Sequence, residues 1–396
     1  MINLDNIVIT GYGIKAPGIS DKSSFLNVLE NGICTQSLLK NDPQHDFPPI
    51  VAGKIDQDFH HIKGRSYKRY ARSTRLAIAA ALDAMDMAHL NNYEPHRVAV
   101  IMGTSAGSIT EIEEHSSVAF NLKTMPIQAI SWVDSHTLSE SIAEALGLNG
   151  PSFTLTTGCT ASIDAAMMGK LLLESGTVDA CIIGGTDAPL CQWTINSFQK
   201  LKTLSTETSI NEAGVPFSSK NQGFVLAEGA GVLVLEKEQS AQKRKQQIYG
   251  KIDQVVSRNE GQKLLSSDKS GQHMLKVFQD TVGEHKPSYV NSQALGIETN
   301  DNIEKFILKE TFGSEVPITS IKGTMGHAFG AMGAIQIISS LISMEYGFIP
   351  PTIKTTGDGF EDIPIIFEPK SKTIESVCIT THGNSGNNAC LLLSNA

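Results

Sequence analysis

Thr154–Asp164 reads TLTTGCTASID. The β-branched residues at its start favour an extended strand. Gly158 then permits a sharp turn, and small residues from Ala161 onward suit a helix that packs closely in an interior. The pattern predicts a strand-to-helix turn with Cys159 at its corner, exposed at a helix N-terminus. There the partial positive charge favours the thiolate over the thiol, and nearby backbone N–H groups can stabilise an oxyanion. A cysteine at such a turn also satisfies plain packing, so the rest of the chain has to decide.

Working outward, short β-branched runs read as buried strands at Asn6–Ile9, Arg97–Met102, Ala180–Ile183, Val232–Leu235, Glu375–Thr380 and Cys390–Leu393. Helical patterns alternate with them at Leu76–Ala88, Ala161–Ser175 and Ala331–Tyr346, and the first and last are apolar on most faces. Strands alternating with helices predict an α/β protein whose sheets are covered by helices. The chain also has a loose two-fold plan. DACIIGGTDAP (Asp179–Pro189) and SVCITTHGNSG (Ser376–Gly386) are corresponding strand-and-turn segments, which suggests a duplicated unit. The polar stretch Glu238–Gln247 is the candidate join, read as a solvated loop, dividing the chain into residues 1–240 and 241–396.

Composition narrows the function. The 396 residues are 40% hydrophobic and 18% charged, as in an ordinary globular protein. The net charge of -9 gives a nucleic-acid role no electrostatic support. No run reaches the roughly 18 apolar residues needed to span a bilayer. The opening MINLDNIVITGYG reads as a first strand and not a signal peptide. The six cysteines form no C-x-x-C pair, so no metal site is expected, and all but Cys159 read as buried reduced thiols of a cytoplasmic protein.

Two further segments bear on Cys159. Ser320–Gln336 reads SIKGTMGHAFGAMGAIQ: His327 opens an apolar helix, with Lys322 five residues before it. Thr380–Asn388 reads TTHGNSGNN, a polar glycine-rich turn between two buried strands, which is unusual unless backbone must approach a ligand.

Together these segments resemble the β-ketoacyl-[acyl-carrier-protein] synthases. IVITGYG (Ile7–Gly13), PFSSKNQGFVLAEGAGVLVLE (Pro216–Glu236), TTGCTASIDAA and IKGTMGHAFGAMGA occur in the family's order, the cysteine motif in the form found in type II polyketide synthases. The resemblance implies a thiolase fold: two duplicated α/β halves in a five-layered α-β-α-β-α arrangement, usually dimeric. It implies that Cys159 accepts an acyl chain from the phosphopantetheine arm of an acyl carrier protein, with no separate cofactor. Lys322 falls on the family lysine that shapes the site's electrostatics, and His327 on its second histidine. Gly383 and Asn384 fall on the turn that supplies an oxyanion amide.

The chain departs from the family at the first histidine, which lies in a His-Gly-Thr-x-Thr motif. Counting back from Asn300, Asp301 and Glu304 places Gln293 there, and Leu295 and Ile297 replace the threonines that hold the pantetheine amide. A carboxamide donates hydrogen bonds but neither carries charge nor moves a proton near neutral pH. Malonyl decarboxylation is therefore expected to be impaired or altered, while acyl transfer onto Cys159 needs only the thiolate and an oxyanion hole. His382 and Asn384 replace two phenylalanines; His382 is either a substitute base or a polar residue lining a widened pocket. Gln336 replaces a glutamate. The expected activity is that of a ketosynthase-like acyltransferase or condensing enzyme in polyketide or fatty-acid-like biosynthesis. The alternatives are a non-catalytic partner subunit of the chain-length-factor kind and a thiolase-like coenzyme A enzyme. Homodimer and heterodimer both remain open.

Overall fold

The computed structural model describes residues 6–40, 47–57, 69–90, 93–118, 121–220, 223–263, 266–383 and 386–395. Ten strands form one sheet: β1 (Ile7–Lys15), β2 (Val98–Gly103), β3 (Ser152–Leu155), β4 (Ala180–Asp187), β5 (Gly229–Lys237), β6 (Gly250–Asn259), β7 (Tyr289–Asn291), β8 (Ile318–Thr319), β9 (Ser376–His382) and β10 (Asn387–Ser394). Their spatial order is β8-β7-β9-β10-β6-β1-β5-β4-β2-β3. Cut between β6 and β1, this is one topology used twice. Each half places its first strand beside its fifth, then the fourth, second and third. The last three are parallel in both halves, and the other pairings are antiparallel. The halves join through an antiparallel contact in which Val8 faces Lys251 and Ile9 faces Gly250.

Six helices complete the layers: α1 (Arg72–Ala88), α2 (Thr137–Leu146), α3 (Ala161–Glu174), α4 (Gln272–Val282), α5 (Glu298–Phe312) and α6 (Met332–Tyr346). Helices α1 and α2 cover the outer face of the first half, and α4 and α5 that of the second. Helices α3 and α6 lie between the halves and touch strands of both. This is the expected five-layered arrangement. It explains why α6 is apolar all round: every residue from Met332 to Met344 is buried.

The observed strands run beyond the apolar cores that mark them in the sequence. β1 continues to Lys15 through Gly11 and Gly13. These glycines let α1 lie directly on the strand: a Cβ on Gly13 would stand 2.0 Å from the Ala80 carbonyl oxygen. Glu238–Gln247 is not simply a loop, since Glu238–Lys243 is helical and Arg244 pairs with buried Glu236 at 2.7 Å. Cys181, Cys191, Cys378 and Cys390 are buried as expected, whereas Cys34 is only half-buried. Among the described residues no helix is long and apolar enough to cross a membrane.

Candidate active site

The corner predicted at Cys159 is present. β3 ends at Leu155, Gly158 turns the chain with φ of 70°, and one short turn over Gly158–Thr160 leads into α3. A carboxylate from the first turn of α3 holds the corner. Asp164 Oδ2 accepts from the Thr160 hydroxyl at 2.8 Å and from the Thr157 hydroxyl. The far half contributes as well: Asn387 Nδ2 donates to the Thr157 carbonyl at 3.1 Å.

His327 arrives from the opposite half, just before α6. Its N–H donates to Val225 O at 2.8 Å and its carbonyl accepts from Ala227 N at 3.1 Å, which fixes the backbone. The rings of Phe224 and Phe329 meet the imidazole edge-on, centroids 5.8 and 5.5 Å away. His327 Nε2 thereby stands 3.2 Å from Cys159 Sγ. Burial, with Lys322 and His382 nearby, holds the imidazole down to about 3, so it is neutral at neutral pH.

The thiol does not meet the expectation of a resting thiolate. Burial pushes Cys159 up to about 12, and the buried Asp187 carboxylate adds to this, while Lys322 opposes it. Desolvation outweighs the benefit of a helix N-terminus, because a thiolate in this cavity loses its water shell. Cys159 and His327 therefore form a neutral thiol–imidazole pair. Lys322 is buried, and its Nζ donates to the Ser292 carbonyl at 2.6 Å. Burial brings it down to about 7, against the pull of Glu304, Asp301 and Cys159. It is the cation in range to stabilise negative charge on the sulfur.

Cys159 and His327 open onto a cavity of about 310 Å³, also lined by Gln293, Leu295, Ile297, His382 and Gly383. The loop 293–297 is held by Asp301 at the start of α5, which accepts from Leu295 N at 2.8 Å and from Phe217 N at 2.7 Å. Burial pushes that carboxyl up to about 7. Leu295 and Ile297 give the wall an apolar surface without side-chain donors. Gln293 is fully buried; its N–H donates to Thr380 Oγ1 at 3.0 Å and its Nε2 to the His382 carbonyl at 3.3 Å. Gly383 lies against the nucleophile, its absent Cβ 4.0 Å from Cys159 Sγ. Its own N–H already donates to Asn387 O at 2.9 Å and is not free for an oxyanion. Asn384 lies outside the described residues. Gln336 lies behind the cavity wall, its Nε2 donating to Asn291 O at 2.9 Å.

Two carboxylates were missed by sequence reasoning. Asp187, at the end of β4, gathers Ala106 N at 2.8 Å, Ser105 N at 2.9 Å, Gly330 N at 2.7 Å and the Thr104 hydroxyl at 2.8 Å. It thus ties the loop after β2 to the start of α6. Glu304 served only as a position to count back from, yet its Oε1 lies 3.0 Å from His382 Nε2. Burial raises that carboxyl, but the hydrogen bond from His382, with those from the Thr380 and Ser292 hydroxyls, holds it below the ordinary range. The available signals were an acidic residue at a strand end for Asp187 and, for Glu304, an acidic residue on the same helix face as Ile303, Ile307 and Leu308.

The site places a thiol, an imidazole, a buried cation and an apolar cavity together, which is the equipment for forming and breaking a thioester. Comparison with known proteins gives the chain's family. The model of the β-ketoacyl synthase N-terminal domain matches residues 4–241, and that of the β-ketoacyl synthase C-terminal domain matches residues 249–356. The ketoacyl synthase alpha subunit of the tetracenomycin polyketide synthase of Streptomyces glaucescens is 28% identical over 374 residues, covering 87% of this chain and 86% of its own. The 3-oxoacyl-[acyl-carrier-protein] synthase 2 of Staphylococcus aureus (strain N315) is 28% identical over 406 residues, covering 98% and 97%. Among solved structures, the ishigamide ketosynthase/chain length factor superposes with a TM-score of 0.90 at 22% identity, over 99% of each chain. A type II polyketide ketosynthase solved with its acyl-carrier protein and a hexaketide gives 0.89 at 23% identity, over 100% of each. At these identities the likeness speaks for the fold alone.

Proposed function

Since this chain belongs to the β-ketoacyl synthase family, we propose that it is an acyltransferase that takes an acyl group from an acyl carrier protein onto Cys159. The observation that carries this reading is the 3.2 Å contact between Cys159 Sγ and His327 Nε2 at the mouth of an apolar cavity. As the thiol attacks the incoming thioester, its proton passes to His327 Nε2 and then to the departing pantetheine sulfur. The imidazole is neutral beforehand, so it is free to accept. The buried Lys322 ammonium stabilises the charge that develops. No bound cofactor is needed. Phe224, Phe329 and Leu295 suit an apolar acyl chain.

Gln293 limits the chemistry open to the acylated enzyme. Its amide moves no proton at neutral pH and offers no positive charge to the enolate left when a malonyl extender loses CO2, so that decarboxylation is weakened. The carrier protein is proposed as partner by analogy with the relatives. A second ketosynthase-like subunit, identical or not, is proposed to cover the exposed apolar residues Leu122, Ile127, Ile130 and Val133 and the edge strand β3 with half-exposed Phe153.

The test is incubation with acyl-carrier protein or acyl thioesters, followed by intact mass. A mass increase abolished by Cys159→Ala is expected. Absence of any adduct with every donor sinks the acyltransferase reading and leaves a non-catalytic partner subunit of a ketosynthase pair, the role the retained thiol–imidazole contact argues against.

A further inference from the structure

The cavity holds a second proton-transfer unit apart from the thiol–imidazole pair. His382 closes β9 with its imidazole lining the cavity. Its Nε2 is 3.0 Å from Oε1 of Glu304, a carboxylate with no exposed side-chain surface. The other ring nitrogen, Nδ1, is 3.4 Å from Asn300 Nδ2, and Asn300 also lines the cavity. A carboxylate only accepts, so Nε2 carries the hydrogen, and the Asn300 amide nitrogen only donates, so Nδ1 holds the lone pair. The long contact to the Asn300 amide is easily displaced. A buried carboxylate that fixes an imidazole tautomer and leaves the opposite nitrogen toward the reaction space is the arrangement of a general base.

Gln293 indicates what that base acts on. Its Nε2 is committed to the His382 carbonyl, which fixes the amide orientation. Its Oε1 is buried and has no partner among the described residues. At this end of the cavity the acceptor is His382 Nδ1, while Gln293, with its Nε2 turned to the His382 carbonyl and its Oε1 buried, supplies neither an imidazole nor a charge. A carboxylate-bearing extender meets the Nδ1 lone pair there, whereas an incoming hydroxyl or amine can give that nitrogen a proton.

We propose that the acyl group on Cys159 is passed to a hydroxyl- or amine-bearing acceptor deprotonated by His382, with Glu304 as the positioning residue. This rests on the loading of Cys159 proposed above. The acceptor oxygen or nitrogen attacks the thioester carbon and gives its proton to His382 Nδ1. The new C–O or C–N bond forms, the C–S bond breaks, and its electron pair stays on Cys159 Sγ. The proton on His382 then returns to that sulfur, directly or through solvent, restoring both groups.

The experiment separates loading from discharge. The full chain is loaded with hexanoyl-N-acetylcysteamine thioester, freed of excess donor, and mixed with propanol, propylamine or malonyl-N-acetylcysteamine. Loss of the hexanoyl mass and the product formed are followed. Discharge to propanol or propylamine, slower in D2O, is expected. In His382→Phe, discharge relative to loading in the same variant falls by about 10²–10⁴-fold. Glu304→Gln lowers discharge relative to loading in the same direction, a split that a purely structural role does not produce. Discharge equally fast in His382→Phe, or elongation by the malonyl thioester with loss of CO2, overturns the proposal. Failure to load at all counts instead against the acyltransferase reading.

Discussion

His327 Nε2 stands 3.2 Å from Cys159 Sγ, and burial holds the imidazole down to about 3 while it pushes the thiol up to about 12. The pair is neutral at rest, so the proton moves only as the sulfur attacks. His327→Asn is expected to slow acylation by about 10²–10⁴-fold, while Cys159→Ala abolishes it. Single-turnover loading monitored by intact mass checks both.

Lys322 is the cation that pulls the Cys159 thiol down, and it titrates at about 7. Raising the pH creates thiolate but also discharges Lys322, which pushes the thiol up again. Alkylation of Cys159 by iodoacetamide should therefore rise by less than tenfold per pH unit through pH 7. Lys322→Met should lower the rate below pH 7 and restore a full tenfold slope. A pH series of alkylation rates reads the difference.

Asp187 acts in both stability and reactivity. In Asp187→Asn one carboxylate oxygen becomes an NH2 that faces N–H donors. Buried donors lose their acceptor at about 1–3 kcal/mol each, and the melting temperature falls. Burial raises this carboxyl from the ordinary 3.8 to about 6. The folded state therefore holds the proton more tightly, and this group's stability contribution is lost as pH rises through that window. The variant should lack that slope. Removing the negative charge also lowers the Cys159 pKa, so alkylation speeds up in the folded variant. Thermal melts from pH 4 to 7 and alkylation rates test the two effects separately.

Two glycines should respond to alanine in different ways. At Gly158 φ is 70° and nothing lies within 4 Å of a new Cβ, so only backbone strain of about 1–2 kcal/mol is added. At Gly13 the Cβ meets Ala80 O at 2.0 Å, which drives α1 off β1. Gly158→Ala should fold with a modestly lower melting temperature, and Gly13→Ala should not yield folded protein. Circular dichroism and thermal melts distinguish them.

The sequence by itself determined the alternation of strands and helices, the corner at Cys159, and the buried character of α6, because each depends on local composition. Its motif order pointed to Lys322 and His327, and counting back from Asn300 and Asp301 pointed to Gln293; the structure brings His327 and Gln293 to the cavity at Cys159, with Lys322 in electrostatic range. What tertiary structure alone decided is the charge state and the pairing. A helix N-terminus read locally promises a thiolate, but the protein packed around half-buried Cys159 strips much of the water a thiolate would need, and desolvation wins. His382 and Glu304 are 78 residues apart. Only the packing of α5 behind β9 brings them into contact, which turns an unassigned polar substitution into an oriented imidazole. The orientation of the Gln293 amide was equally invisible, since it depends on the backbone carbonyl of a neighbouring strand.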